Sequence, residues 1–271
     1  MIVTERVIDI LESFLKEEGE VGLAELANLS KVNISTTHRI VSSLVKRGYL
    51  NQPNKRAKYS LSVKLLEFTP FIKDIDRIAD VAFPFLVKLN KQVNESIALS
   101  VLDRNEVVKI EHVECRQNLR FASPLGTRFP LHCTASGKTL LAGMSEKEVE
   151  NFLQSKELTR FTENTITNPD RLRAELATIR REGIAVSEKE LDLGVTCVAA
   201  PIKDGSGKVI AVVTASAPSS RFNSQRISEV RCLMENYALK ISKALGYHGG
   251  AAQSLKEVRN EIAEQSHPTK I

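Results

Sequence analysis

The chain has 271 residues, 42% of them hydrophobic and 26% charged, with a net charge of +5. That length accommodates two domains with cores of their own, and the composition is that of a folded globular protein. Crossing a membrane takes about 18 consecutive apolar residues; the sequence has no such run, and its first residues have no signal-peptide core, so a cytoplasmic protein with no membrane partner is expected.

The first segment, Thr4 to Lys16, has helical periodicity and is expected to bury Val7, Ile8, Ile10, Leu11, Phe14 and Leu15. Gly19 and Gly22 break the pattern before a short amphipathic helix at Leu23 to Ala27. A turn at Lys31 to Asn33 follows, with Asn33 placed to cap a helix over Ile34 to Lys46. That helix puts Thr37, Ile40, Val41 and Leu44 on one face, and Ser35, His38, Arg39, Ser42 and Lys46 on the other. Gly48 ends it. Tyr49 to Asn51 and Lys58 to Leu61 read as two strands around Gln52 to Arg56. Helix, turn, helix and hairpin together predict a winged helix-turn-helix.

Charge supports that reading. Between Ala27 and Leu66 there are eight Lys or Arg and no Asp or Glu, so this segment alone exceeds the net surplus of the chain. A concentrated basic patch holds a phosphate backbone and releases its counterions. Ser35, Thr36, His38, Arg39 and Ser42 are therefore the candidates for base edges, and Lys46, Arg47, Lys55, Arg56 and Lys58 for phosphates and the adjacent groove of a double-stranded DNA operator.

From Val63 to Asn94 the pattern is helical again, with Pro70 and Pro84 each expected to break, kink or start a helix. Beyond it, Ser96 to Leu102 and Glu106 to Val113 flank the hairpin signal Asp103-Arg104-Asn105, and Asn118 to Ala122 is expected to continue the sheet. Pro124 to Thr127 reads as a turn. Helices are expected at Thr134 to Ala142, Glu146 to Gln154 and Asp170 to Glu182, and a second hairpin at Cys197 to Lys203 and Lys208 to Ser216. A last helix covers Ser224 to Leu245. Two hairpins with segregated helices predict an α+β domain on a mostly antiparallel sheet. The expected division is 1–64 for the winged module, 65–79 for a linker helix, 80–248 for the larger domain, and 249–271 for a mobile tail or loosely attached helix.

Several motifs resemble the isocitrate lyase regulator (IclR) family of bacterial transcription regulators. They are Pro130-Leu131-His132-Cys133-Thr134-Ala135-Ser136-Gly137-Lys138, Gly183 to Ser187 with Glu188 and Glu190, Leu193 to Ile202, and Ser216-Ala217-Pro218 with Arg221. The resemblance spans roughly residues 4 to 247; Ser62 departs from it, standing where the family often has glycine after the wing. It implies a homodimer or dimer of dimers, a GAF- or PAS-like effector domain, and regulation of a catabolic operon by a small organic acid. It also implies effector contacts at Ala135 and Ser136 through the backbone, and at Ser187, Cys197, Thr214 and Ser216 through side chains. Two amides, three hydroxyls and a thiol would orient an oxyanion without supplying a permanent positive charge. Ser187 stands where some relatives have an acidic residue.

Apart from any family, Thr134 to Lys138 begins a helix with small residues. Its free amides form an anion site, or else Ala135 and Gly137 serve tight packing; the sequence leaves both open. Cys133, Cys197 and His132 have the residue types of a Cys/His nucleophile. A strand cysteine is more often a small core residue, and His132 beside Leu131 a hydrogen-bonded structural histidine. The four cysteines, Cys115, Cys133, Cys197 and Cys232, include no CxxC pair. No catalytic residue, metal or cofactor is expected. The rival readings are an enzyme anchored by its basic module and an architectural DNA-binding protein without a ligand.

Overall fold

The computed structural model describes residues 3–16, 19–54, 57–71 and 75–249. The chain divides into two compact units, 1–76 and 77–271. The tail expectation for 249–271 lies outside the described residues except at Gly249.

The first unit opens with α1 (Val3–Ser13), α2 (Leu23–Leu29) and α3 (Ile34–Lys46). Asn33 caps α3 by accepting the Thr36 amide at 2.9 Å, which satisfies one of the amides a helix start leaves over. At the other end the Gly48 amide bonds Val45 O and the Tyr49 amide bonds Leu44 O. This reciprocal pair needs a left-handed residue, supplied by Gly48 at φ 78°. The wing is β1 (Leu50–Asn51) paired antiparallel with β2 (Ser60–Leu61), extended by a bridge between Val21 and Tyr59. Ile10, Phe14, Val21, Leu26, Ile40, Val41, Leu44, Leu50 and Tyr59 close one core. Ile8 and Leu15 do not join it, being 53% and 79% exposed. For Leu15 the reason is the early end of α1, after which the chain turns rather than continuing the helical stripe to Lys16; Ile8 is inside α1 but about 200° around the helix from the buried Ile10.

No α-helix begins at residue 65. Val63–Phe71 is a 3-10 helix, and α4 (Ile75–Val93) follows. Proline at 70 has no amide to give an α-helical bond and disfavours helical geometry at residue 69. Ser62 opens the 3-10 segment by accepting the Lys64 amide at 3.2 Å, while its own amide bonds Tyr49 O. Its φ is not positive, so the exit from the wing has no need of glycine here. Pro84 lies inside α4 without ending it. Both Pro84 and Asp80, whose carbonyl loses its amide partner, are exposed, so water can replace the lost bond.

The second unit is built on six strands in the order β5-β4-β3-β8-β7-β6, all neighbours antiparallel. They are β3 (Ser96–Asp103), β4 (Glu106–Val113), β5 (Arg128–Pro130), β6 (Ala185–Glu188), β7 (Val195–Lys203) and β8 (Val209–Pro218). The first hairpin turns through Arg104 and Asn105 at φ 49° and 69°, as a two-residue turn matched to the strand twist requires. The edge strand is Arg128–Pro130 rather than Asn118 to Ala122, which forms no strand. There the backbone acceptors go to side chains: Leu119 O takes Arg221 Nη2 at 2.9 Å and Ser123 O takes Lys109 Nζ.

Helices α5 (Ala135–Ala142), α6 (Glu146–Ser155) and α7 (Pro169–Glu182) share a core with one sheet face. Leu131, Leu141, Val149, Phe152, Leu172, Leu176, Ala185, Ala199 and Val212 fill it. The last helix, α8 (Ser224–Ala244), packs on β7 and β8, where Ser242 Oγ accepts the Lys203 amide at 2.9 Å. Val198, Ala199, Ala200 and Ile202 are all buried, the pattern of a strand covered on both faces. The architecture is α+β: a winged helix-turn-helix followed by an antiparallel sheet domain.

Gly137 shows how closely α5 is held. A Cβ built there would lie 2.3 Å from Leu131 O, and the contact is backbone, which cannot swing aside. Gly137→Ala is expected to destabilise the second unit by about 1–3 kcal/mol through overpacking. A melting temperature equal to that of the native chain would refute this.

Candidate functional site

On α3 the four core positions anticipated from periodicity, Thr37, Ile40, Val41 and Leu44, are the buried ones. Ser35, His38, Arg39, Ser42, Lys46 and Arg47 are exposed, as is Lys58 past the wing turn, and Thr36 is half-buried. Lys55 and Arg56 lie outside the described residues. Arg39 and Thr36 also border an open groove with Arg6, Ser43 and Arg47. Arg6 escaped the sequence reading because it stands on α1, far from the basic run. Lys64, part of that run, is committed elsewhere: its Nζ donates to Arg47 O at 2.9 Å and lies 4.9 Å from the Tyr49 ring centroid. It neutralises the carbonyl end of α3.

In the second unit, one sheet face and the start of α5 enclose a pocket. Its cavity volume is about 70 Å³, which suits a small ligand. Ala135, Ser136, Cys197, Thr214 and Ser216 line it. Ser187 does not: it is buried and donates to Cys133 O at 3.2 Å, bracing the strand that leads into α5. Thr134 caps α5, its Oγ1 accepting the Gly137 amide at 3.0 Å. The Lys138 amide takes Thr134 O, which leaves the amides of Ala135 and Ser136 without an intrahelical acceptor at the positive end of the helix. Gly137 thus serves the tight packing that one of the two readings assigned to this segment, and Ala135 and Ser136 just before it line the pocket.

Register explains which side chains join them. Ser96 pairs with Ser216, Cys197 also pairs with Ser216, and Ala98 pairs with both Thr214 and His112, so these positions share a face. Sequence reasoning missed Ser96, Ser100, Lys109 and His112, all on the pocket wall. Lys109 and His112 differ by three positions and should face opposite sides. An extra residue at Ile110, where Leu99 pairs with Glu111 but Ser100 with Lys109, restores them to one face. The expectation of a site without a cationic side chain is therefore corrected. Lys109 is 5% exposed, and burial lowers its pKa, with Glu114 acting in the opposite direction.

Three buried polar atoms of the lining residues, Ser96 Oγ, His112 Nδ1 and Thr214 Oγ1, have no hydrogen-bond partner among the described residues. Such atoms cost about 1–3 kcal/mol each unless satisfied. The thiols are poor nucleophiles: burial pushes Cys197 up to about 11 and Cys133 up to about 12. Cys197 Sγ donates to Ser216 Oγ at 3.3 Å. His132 Nε2 lies 2.9 Å from Thr159 O, and burial lowers its pKa, the environment of a structural histidine. Among the described residues no three His, Cys, Asp or Glu are grouped to hold a metal ion, and no helix is long and apolar enough to cross a membrane.

A basic recognition helix in one unit and a small hydroxyl-lined pocket in the other is the division of labour of a one-component transcription regulator. The IclR helix-turn-helix domain matches residues 3–53, and the bacterial transcriptional regulator IclR C-terminal domain matches residues 72–243. The chain belongs to the IclR family of bacterial transcriptional regulators. It is 36% identical to the HTH-type transcriptional regulator KdgR of Escherichia coli over 246 residues, 90% of this chain and 92% of that one. Its fold is similar to the crystal structure of Thermotoga maritima IclR, with TM-score 0.76 and 34% identity over 90% of this chain and 98% of that one. An IclR homologue from Microbacterium hydrocarbonoxydans, solved in complex with 4-hydroxybenzoate, has TM-score 0.79 and 27% identity over 90% and 99%.

Proposed function

We propose that this regulator controls a catabolic operon from the cytoplasm as a homodimer or dimer of dimers, with a small organic acid as its effector. Residues 1–64 form the DNA-binding module, 65–79 the connection and 80–248 the effector module. Ser35, Thr36, His38, Arg39 and Ser42 face the bases; Lys46, Arg47 and Lys58, with Lys55 and Arg56, hold phosphate. The acid sits on the Ala135 and Ser136 amides, against Cys197, Thr214 and Ser216. The observation that carries this reading is the convergence of those two amides with the unpartnered hydroxyls of Ser96 and Thr214 in one small pocket. The relative crystallised with 4-hydroxybenzoate supports an acid as the ligand class.

Fluorescence anisotropy with the upstream intergenic DNA, with excess nonspecific competitor and a pool of keto, hydroxy and aromatic acids, tests it. Binding that resists competitor and shifts with the pool is expected; binding that the competitor abolishes and no acid alters would overturn it. The pocket has its own check in Thr214→Val, which removes a buried hydroxyl that has no protein partner. The ligand-free variant should melt at or above the native temperature, yet bind the effective acid roughly 10-fold or more weakly, the worth of one hydrogen bond to a charged group. Unchanged acid affinity would place the ligand elsewhere.

A further inference from the structure

The pocket has two places for negative charge. One is the start of α5, a helix that among the strands packs most on β7 and β8. The other is Lys109 with His112 on β4, on the far side of β3 in the strand order β4-β3-β8-β7. Neighbouring strands lie about 4.8 Å apart, so β4 and β8 are separated by roughly 10 Å across the sheet. On β3, between them, Ala98 lies flanked by Ser96 and Ser100, and Phe121 and Phe129 add aromatic surface elsewhere in the lining.

Lys109 is in an unusual position for a lysine. It is almost fully buried, and among the described residues no carboxylate forms an ion pair with it. Among the described residues its ammonium donates only to the Ser123 carbonyl. Glu114, the acidic residue that influences it, is already engaged by Arg120 at 2.9 Å and lies 3.6 Å from His112 Nε2. His112 adds a buried, unpartnered Nδ1 on the same wall. The carboxylate among the lining residues, Asp192, is exposed at the rim and accepts the Gly194 amide at 2.7 Å. A buried cation is stable when a counter-charge desolvates with it, and neutral hydroxyls alone do not provide one.

We propose that the effector is a dicarboxylic acid, one carboxylate on the Ala135 and Ser136 amides and the other on Lys109 with His112, its carbon skeleton between the two. This rests on the acid-effector reading above and deepens it. Lys109 is then the residue that separates diacids from monoacids. An arriving carboxylate supplies the counter-charge that the protein withholds, so the preference for a diacid is built into the pocket wall.

Calorimetric titration of the full chain with matched pairs decides it: benzoate against terephthalate, butyrate against succinate, and valerate against glutarate. In at least one pair the diacid should bind about 10-fold or more tightly than its monoacid. Lys109→Met should remove that advantage, lowering diacid affinity by more than it lowers monoacid affinity. Equal or tighter binding of every monoacid overturns the dicarboxylate inference and leaves the acid-effector reading standing. A diacid preference that survives Lys109→Met overturns the assignment of the second pole to Lys109. No heat with any member of the panel overturns the dicarboxylate inference and leaves the acid-effector reading to be decided by the keto, hydroxy and aromatic acid pool. The native pairs are informative whether or not the variant folds.

Discussion

Lys138→Met is expected to destabilise the second unit by about 3–5 kcal/mol, the usual effect of breaking a buried ion pair by removing one partner. Lys138 is 1% exposed, and its Nζ donates to Glu190 Oε1 at 2.6 Å, Val186 O at 2.8 Å and Glu175 Oε1 at 2.9 Å. Glu175 is one-third exposed and can turn to water, but Glu190 cannot: its side chain is 7% exposed and its Oε2 already lacks a partner among the described residues. Burial raises the Glu190 pKa above its ordinary 4.5, and Lys138 is the main influence holding it down. Without Lys138 that pKa rises further. A group whose folded pKa lies above its unfolded value contributes stability in full below the unfolded value and loses it as pH rises through the folded one. The deficit of the variant should therefore be small near pH ~4.5 and grow as pH rises from there. Adding Glu190→Gln should recover much of it. Chemical unfolding across that pH range is the measurement, and a deficit independent of pH would remove Glu190 from the explanation.

This pair also bears on the pocket. Lys138 belongs to α5, whose first residues offer the free amides. Glu190 precedes Leu191 and Asp192, which line the pocket between β6 and β7. Thr165 Oγ1 donates to Glu190 O at 2.6 Å and Thr162 Oγ1 at 3.2 Å, so the loop before α7 holds the segment. Loss of Lys138 should loosen two walls at once, and weaker acid binding should accompany the lost stability.

How much was legible in the sequence follows from how local each determinant is. The bounds of α3 were readable from Asn33 and Gly48 because a cap acts within a few residues. Its buried face was readable because period 3.6 is uninterrupted there. The Asp103-Arg104-Asn105 turn was readable for the same reason. Asn118 to Ala122 misled because Leu119 and Phe121 alternate as a strand should. What decides that segment is Arg221, about a hundred positions away, which takes the Leu119 carbonyl while bonding Glu95 at 2.5 and 2.7 Å. Lys109 was invisible as a pocket residue because one extra residue at Ile110 inverts the alternation, and a bulge has no signature in Val107 to Val113. Ala135, Ser136, Cys197, Thr214 and Ser216 came from family resemblance; the register that brings the strand residues together is a property of three strands, not of any one motif.

Arg39→Ala is expected to lower specific operator affinity by about 10- to 100-fold while leaving nonspecific DNA binding within about 3-fold, since a base-reading guanidinium is worth roughly 1–3 kcal/mol of discrimination. Lys46→Ala should behave differently. Holding phosphate, it should weaken specific and nonspecific complexes alike and reduce the slope of log affinity against log salt by about 1. The contrast is a demanding one, because Arg39 stands beside Arg6 and Arg47 in one open groove and could equally serve the backbone from there. Helical position favours the bases: Arg39 follows His38 directly and lies four residues after Ser35 and three before Ser42, on the exposed side of a helix whose opposite side is core. A salt titration of both variants on operator and on scrambled DNA separates the two roles. If Arg39→Ala weakens both DNAs equally and lowers the salt slope, Arg39 is a phosphate contact, and reading of the bases passes to Ser35, Thr36, His38 and Ser42.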